Sequence, residues 1–287
     1  MKKTVAIIGP GVVGCAIAKL LAAAGYEIAG VAGRTEKSAV KAIETIGAGT
    51  MVSPMQAATA DIVFITTPDD AIAAVCAQLA AEKAFHADGV VLHCSGALPA
   101  SVLTPASNCG AAVAALHPLQ TFASAQDAIL MLPGAPFAFE GDEAAKPVCA
   151  AIVHALAGWM FPLAADKKPI YHAAACIASN YLLALEDVAA GLMAQTGLSR
   201  QEAAEALLPL IEGTVRNLRS LGAARALTGP IARGDDKTVA MHMDVLMSQS
   251  PELFELYKAL GRQALRLAQR GKKIRPEVVA RLAILLE

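Results

Sequence analysis

Aromatic side chains make up only 4% of this 287-residue chain and charged ones only 17%. The 24 Lys and Arg residues are balanced by 25 Asp and Glu residues, giving a formal charge of −1 and a pI near 6.6. A chain with no positive excess lacks the basic footprint expected of a nucleic-acid or anionic-membrane partner. The six cysteines, at 15, 76, 94, 109, 149 and 176, contain no Cys-x-x-Cys pair. They read as reduced thiols of a cytoplasmic protein. No His, Cys, Asp or Glu group has metal-ligand spacing, and no Gly-x-Ser-x-Gly nucleophile signature occurs. Low-complexity tracts are missing too, apart from alanine, which argues against disorder.

Alanine is what the chain has in abundance. Its 63 copies carry the hydrophobic fraction to 55% and the mean hydropathy to +0.49. Alanine gains little on burial but is the best helix former, so the value signals closely packed helices more than oiliness. Two stretches, 147–165 and 169–185, are free of charge for 19 and 17 residues. The first contains His154, Gly158 and Pro162, and the second His172, Ser179 and Asn180. Alanine dilutes both, so neither is expected to span a membrane. Met1-Lys2-Lys3 ahead of residues 4–8 imitates the start of a signal peptide. The apolar run enters a glycine-rich turn with no cleavage site after it, so a strand is expected instead.

The first part alternates short β-rich runs with alanine-rich helical ones. Strands are expected at 4–8, 27–32, 61–66, 90–94, 112–116, 136–140 and 159–163. Helices are expected at 12–24, 36–46 and 143–157, with another starting at Pro68-Asp69-Asp70. This alternation predicts an α/β fold, a doubly wound and mainly parallel Rossmann-like sheet. After about residue 166 strand signals vanish. Helices are expected at 170–195, 199–221, 236–247, 251–270 and 276–286, with an interruption at Thr228-Gly229-Pro230. Charge shifts as well, from 8 basic and 12 acidic residues to 16 and 13. Two domains follow, 1–165 and an all-α 166–287.

Gly9-Pro10-Gly11-Val12-Val13-Gly14 is a Gly-x-Gly-x-x-Gly set between a strand and a helix, the context of a dinucleotide pyrophosphate turn. Gly9 permits the tight turn, Gly11 the backbone's approach to phosphate, and Gly14 close helix–strand packing. The second strand then ends in Gly33-Arg34-Thr35, with Lys37 and Ser38 nearby. The acidic residue that an NAD site offers to the ribose is missing, and a guanidinium suited to a phosphate replaces it. NADP(H) is expected over NAD(H). Thr66-Thr67-Pro68, at the third strand's end, is expected to brush the same cofactor.

Ligands of open parallel sheets sit at the carboxyl ends of the strands. Here the fourth strand ends in His93-Cys94-Ser95-Gly96 and the fifth in His117-Pro118-Leu119-Gln120-Thr121. His117 and Ser95 are therefore candidates to bind or protonate a small-molecule substrate, with His93 a weaker one. His172, Ser179 and Asn180 fall on one face of the first long helix, two turns apart. Lys167 and Lys168 precede them, each able to meet a substrate carboxylate or to stay solvated. Arg233 and Asp235 sit in the glycine-rich turn after Thr228.

Gly9–Gly14, the His93–Gly96 and His117–Phe122 turns, the Tyr171–Asn180 helix and the 228–235 turn together resemble one bacterial family. That family pairs a Rossmann-like NADP-binding domain with a helical domain of unknown function. It is similar to the 6-phosphogluconate dehydrogenase superfamily, which includes pyrroline-5-carboxylate reductase, ketopantoate reductase and prephenate dehydrogenase. Ser95 and His117-Pro118 match the prephenate dehydrogenase pattern. Where ketopantoate reductases carry a lysine four residues before an asparagine, this chain has Cys176 before Asn180, so that pair is absent. The resemblance implies an NADP-dependent oxidoreductase acting on a small carbonyl, imine or hydroxyacid, with His117 or His172 moving the proton. Ser95, Asn180 and Arg233 would orient the substrate, no metal would take part, and the helical domain would form a homodimer. A nucleotide-sensing protein without hydride transfer is the alternative, as is a prephenate-like dehydrogenase.

Overall fold

The computed structural model describes residues 3–271 and 274–287. Met1 and Lys2 of the signal-like start lie outside the described residues. The chain opens with β1 (Thr4–Ile8), α1 (Val12–Ala23), β2 (Glu27–Ala32), α2 (Glu36–Ile46) and α3 (Pro54–Ala57). Then come β3 (Ile62–Ile65), α4 (Asp69–Ala81), β4 (Val90–His93), α5 (Thr104–Ser107) and β5 (Ala112–Pro118). They are followed by α6 (Ala125–Met131), β6 (Pro136–Gly141), α7 (Lys146–Ala155) and β7 (Trp159–Pro162).

The strands form a sheet in the order β2-β1-β3-β4-β5-β6-β7. Every neighbouring pair is parallel except β5 with β6, which runs antiparallel. The runs Ile62–Ile65 and Val90–His93 are buried along their whole length, the mark of parallel strands covered on both faces. Ile17 and Leu21 of α1 pack over one face with Phe64 and Phe137. Ile72, Cys76 and Leu79 of α4 cover the other, against Val63, Ile65 and Val91. Strand order reverses between β1 and β3, which opens a crevice outside their carboxyl ends.

Beyond β7 the expected helix over 170–195 is two helices, α8 (Lys168–Ala178) and α9 (Asn180–Ala194). The break falls at Ser179, whose φ of −120° and ψ of −70° depart from helical values. The chain divides into compact units at Leu183/Ala184, compared with the 165/166 boundary expected from composition. α8 is held in the first unit because Lys168, at its start, is buried with its Nζ 3.4 Å from the Ser95 carbonyl. Composition changes where the strands stop, whereas packing follows this buried ammonium.

The second unit continues through α10 (Arg200–Leu221), α11 (Ala223–Ala226), α12 (Gly229–Arg233), α13 (Asp236–Gln249), α14 (Pro251–Arg270) and α15 (Pro276–Leu285). The interruption expected at Thr228-Gly229-Pro230 is itself the start of α12. Pro230 suits a first helical turn, and Gly234 ends the helix in the left-handed conformation. Ile231, Val239, Met243, Leu265 and Leu282 form the unit's core. Among the described residues one helical stretch, Ala165–Ala194, is long and apolar enough to cross a membrane, and only 6% of its most apolar window is buried.

Candidate active site at the strand carboxyl ends

The turn after β1 is built for close approach. Gly9 has φ +81°, and a Cβ there would lie 2.7 Å from the Thr67 nitrogen, so glycine is required twice over. The Thr66 hydroxyl donates to the Gly9 carbonyl at 2.8 Å, tying the end of β3 to the turn. A Cβ on Gly14 would collide with that same hydroxyl. No side chain caps α1 at Gly11, so its first N–H groups are free to hold an anion. The Thr67 hydroxyl is buried beside them with no hydrogen-bond partner among the described residues. An orphan of this kind costs about 1–3 kcal/mol unless a ligand supplies the partner. The chemistry of the turn thus fits a dinucleotide.

At the end of β2, Arg34 is exposed. Thr35 caps α2, accepting from the Ser38 N–H at 3.2 Å, while the Ser38 hydroxyl donates to the Thr35 carbonyl at 2.7 Å. Thr35 and Ser38 therefore set the direction of the α2 N-terminus beside the guanidinium.

A polar network shapes the turn after β4. The His93 Nδ1 accepts the Ser95 N–H at 3.1 Å, and Nε2 donates to the Pro99 carbonyl at 3.2 Å. Burial pushes the His93 imidazole down to about 4, so it is neutral and its tautomer is fixed. The Ser95 hydroxyl donates to Asp69 Oδ2 at 2.6 Å and accepts the N–H groups of Ala97 and Leu98 at 3.2 and 3.0 Å. These bonds occupy Ser95, a buried residue, in holding its own turn. Lys168 lies beneath, 3.9 Å from Glu140 Oε2, which accepts the Ala100 N–H at 2.6 Å. Burial lowers the Lys168 ammonium below its usual range, opposed by the charges of Glu140 and Asp69. Lys168 is shielded from solvent, unlike Lys167, which is exposed and pairs with Asp166 at 2.9 Å.

His117, at the end of β5, opens onto a cavity of about 790 Å³ in the first unit. Gln120, Tyr171, His172, Ser179 and Asn180 line it with His117. The three polar positions foreseen on the long helix thus share one cavity despite the break at Ser179. His117 Nδ1 is 2.6 Å from the Tyr171 hydroxyl, the rings meeting edge to face. His172 comes close as well, since a Cβ on Gly96 would lie 2.8 Å from His117 Nε2 and 2.9 Å from His172 Cδ2. Cys176 Sγ sits 3.8 Å from His172 Nδ1. Burial, helped by the Lys168 charge, pushes His117 down to about 4, and burial pushes the Tyr171 phenol up to about 12. Both are neutral near pH 7. A run of contacts therefore links the phosphate turn through Thr67, Asp69, Ser95 and Gly96 to His117. Arg233 belongs to α12 of the second unit.

Sequence reading missed Tyr171, Asp69 and Glu140 as parts of this site. Asp69 was legible only as a helix start. Tyr171 meets a histidine 54 positions away, a distance that carries no local signal. All six cysteines are unpaired with one another, and burial raises the Cys94 and Cys149 thiols to about 12. No group of three or more metal-ligating side chains occurs among the described residues.

The two depressed histidines carry a consequence for stability. In the unfolded chain each takes up a proton near pH 6.5, whereas in the fold each resists until about pH 4. Their contribution is complete above pH 6.5 and drains away as the pH falls toward 4, at up to about 1.4 kcal/mol per pH unit for each group. Urea midpoints should drop between pH 7 and 5, and His93→Asn should flatten the slope. A midpoint unchanged across that range contradicts two neutral buried imidazoles.

Residues 1–118 match the model of the Rossmann-like domain, and residues 135–264 match DUF2520, a domain of unknown function. No curated protein matches the sequence. Among solved structures, protein TM1727 from Thermotoga maritima is 25% identical, with a TM-score of 0.76 over 93% of this chain and 99% of its own. The proposed NADP oxidoreductase BF3122 from Bacteroides fragilis is 23% identical, with a TM-score of 0.73 over 92% and 98%. A pyrroline-5-carboxylate reductase from Coxiella burnetii is 18% identical, with a TM-score of 0.62 over 95% and 98%. These likenesses extend along nearly the whole of each chain and establish the fold. The chain thus matches a Rossmann-like model followed by a DUF2520 model, on a fold shared with these solved structures.

Proposed function

We propose that the chain is an NADP(H)-dependent oxidoreductase that moves a hydride between nicotinamide and a small carbonyl, imine or hydroxyacid. The observation that carries this reading is the run of contacts from the phosphate turn to the cavity at His117, across the ends of adjacent strands. When bound, the nicotinamide supplies the hydride chemistry. The backbone of Gly9, Pro10, Gly11, Val12, Val13 and Gly14 receives the pyrophosphate, with Thr66, Thr67 and Pro68 closing the turn. Gly33 lets the α2 N-terminus pack near, Thr35 and Ser38 fix that N-terminus, and Arg34 takes the 2′-phosphate. Ser95 keeps the intervening turn in shape. His117, neutral at working pH, donates a hydrogen bond to the substrate, while His172 and Asn180 orient it.

Relatives that share this architecture frame the reading. One solved neighbour is a pyrroline carboxylate reductase of Plasmodium falciparum with NADP bound, and another is an imine reductase of Streptomyces aurantiacus. The apolar surface supports self-association as well. Ile170, Ile177 and Leu183 in the first unit and Leu210, Val215 and Leu218 in the second are all exposed. Alanine-rich helices suit a second copy, whereas Tyr171, His172, Ser179 and Asn180 make the 165–194 stretch a poor lipid-facing helix. We infer a homodimer through the helical domain, with no membrane or nucleic-acid partner.

Isothermal titration should give tighter binding of NADPH than of NADH. Arg34→Ala should weaken NADPH by about tenfold or more, the worth of one charge-assisted contact. Equal affinities in the parent protein contradict the assignment. In a panel of carbonyls, cyclic imines and hydroxyacids, prephenate and arogenate included, NADPH or NADP should turn over with at least one compound. His117→Gln and His172→Gln should each lower that turnover by about 10²-fold with cofactor binding intact. NADPH binding without turnover across the panel supports the nucleotide-sensing alternative. Sedimentation should give twice the 29.5 kDa chain mass. A monomer, or co-sedimentation with phosphatidylcholine vesicles, contradicts the dimer.

A further inference from the structure

The cavity holds a histidine whose second nitrogen is already committed. His117 Nδ1 lies 2.6 Å from the Tyr171 hydroxyl, and its Nε2 faces the space around Gly96 and His172. Two arrangements satisfy that short contact. In one, Nδ1 carries the proton and donates to the phenol oxygen. The phenol proton is then left without an acceptor, since Tyr171 has no other hydrogen-bond partner among the described residues, and Nε2 presents a bare lone pair. In the other, the phenol donates to Nδ1 and Nε2 carries the proton, so one polar group waits for a ligand rather than two. Leaving fewer half-buried groups unsatisfied favours the second. The Lys168 ammonium, held nearby against Glu140, disfavours a doubly protonated ring.

We propose that Tyr171 is a positioning residue that holds His117 in the Nε2–H tautomer, so that the cavity offers a neutral donor to a carbonyl oxygen. This rests on the reading of the cavity as the substrate site. It also narrows the substrate class. Among the described residues lining the cavity there is no aspartate or glutamate to receive a cationic iminium, whereas imidazole, amide and hydroxyl donors are at hand. The favoured substrate is therefore a small ketone or aldehyde, or the hydroxy compound formed from it. As the carbonyl carbon gains a hydride from reduced nicotinamide, the electron pair left on oxygen takes the Nε2 proton. Nδ1 takes the Tyr171 proton in the same movement, leaving a phenolate. A proton from solvent then reaches Nε2 as Nδ1 returns its own to the phenolate, so the ring stays neutral, the Nε2–H tautomer is restored and one solvent proton is consumed per turnover.

Tyr171→Phe removes one oxygen and keeps the ring that packs edge-on to His117 and against Phe161. The full-length chain labelled with [15N]histidine and free of cofactor, at pH 7, reports the tautomer directly by two-bond nitrogen–proton correlations, with His117→Gln to assign the ring. The parent protein should show a protonated Nε2 and a bare Nδ1, and Tyr171→Phe should show a mixture of tautomers. A protonated Nδ1 in the parent, or spectra unchanged in Tyr171→Phe, overturns the proposal whatever the enzyme's activity. In the turnover panel, Tyr171→Phe should lower kcat by roughly 10²-fold with KM little changed, as expected for a proton-transfer role. Ketones or aldehydes should outpace cyclic iminium substrates. Faster turnover of the iminium class overturns the substrate assignment while leaving the oxidoreductase reading intact. A panel with no turnover at all sinks that reading and the substrate class with it, and the nitrogen spectra then decide the tautomer alone.

Discussion

The hydrogen bond on which the site depends is the one between the Ser95 hydroxyl and the Asp69 carboxylate, 2.6 Å long. It joins the turns that leave two neighbouring strands. Parallel strands deliver their carboxyl ends to the same side of a sheet, but they leave the turns beyond those ends free to diverge. Here the Asp69 turn is continuous with Thr66 and Thr67 at the phosphate loop, and the Ser95 turn is continuous with Gly96 at the two histidines. One contact therefore sets the spacing between the part that fits a dinucleotide and the part that fits a substrate. The neutral His93 below and the buried Lys168–Glu140 pair keep that turn from relaxing.

The electrostatics of the site follow from this scaffold. A cation buried under the turn costs solvation, and only a nearby carboxylate makes it tolerable. Its field reaches His117 and helps burial to keep that ring uncharged. His117 thus offers the cavity a neutral donor, an arrangement that suits an oxygen on which negative charge develops during reaction.

Much of the fold was readable before any coordinates. The buried runs at Val5–Ile8 and Val63–Ile65 admit no reading but a strand, and the glycine spacing after the first of them requires a tight turn. The antiparallel β6 was not readable, because strand direction depends on how α6 returns the chain rather than on composition. The break at Ser179 was hidden because the helical pattern resumes directly beyond it. Within the site, the cluster of His172, Ser179 and Asn180 was legible as a polar stripe in an apolar helix. Lys168 was left open between a substrate carboxylate and solvent; burial excludes solvent, and only the fold shows that Glu140 lies within reach. Tyr171 had no signature at all, since a contact between a strand end and a helix start leaves no periodicity.

The central claim is that the strand ends bring the cofactor turn and the His117 cavity into one site. A crystal structure of the full-length protein with NADPH tests it most directly. The account predicts pyrophosphate on the Gly9–Gly14 turn, the 2′-phosphate at Arg34 and the nicotinamide C4 facing the cavity beside His117 and His172. A nicotinamide turned away from that cavity, or a nucleotide seated elsewhere on the chain, would contradict it.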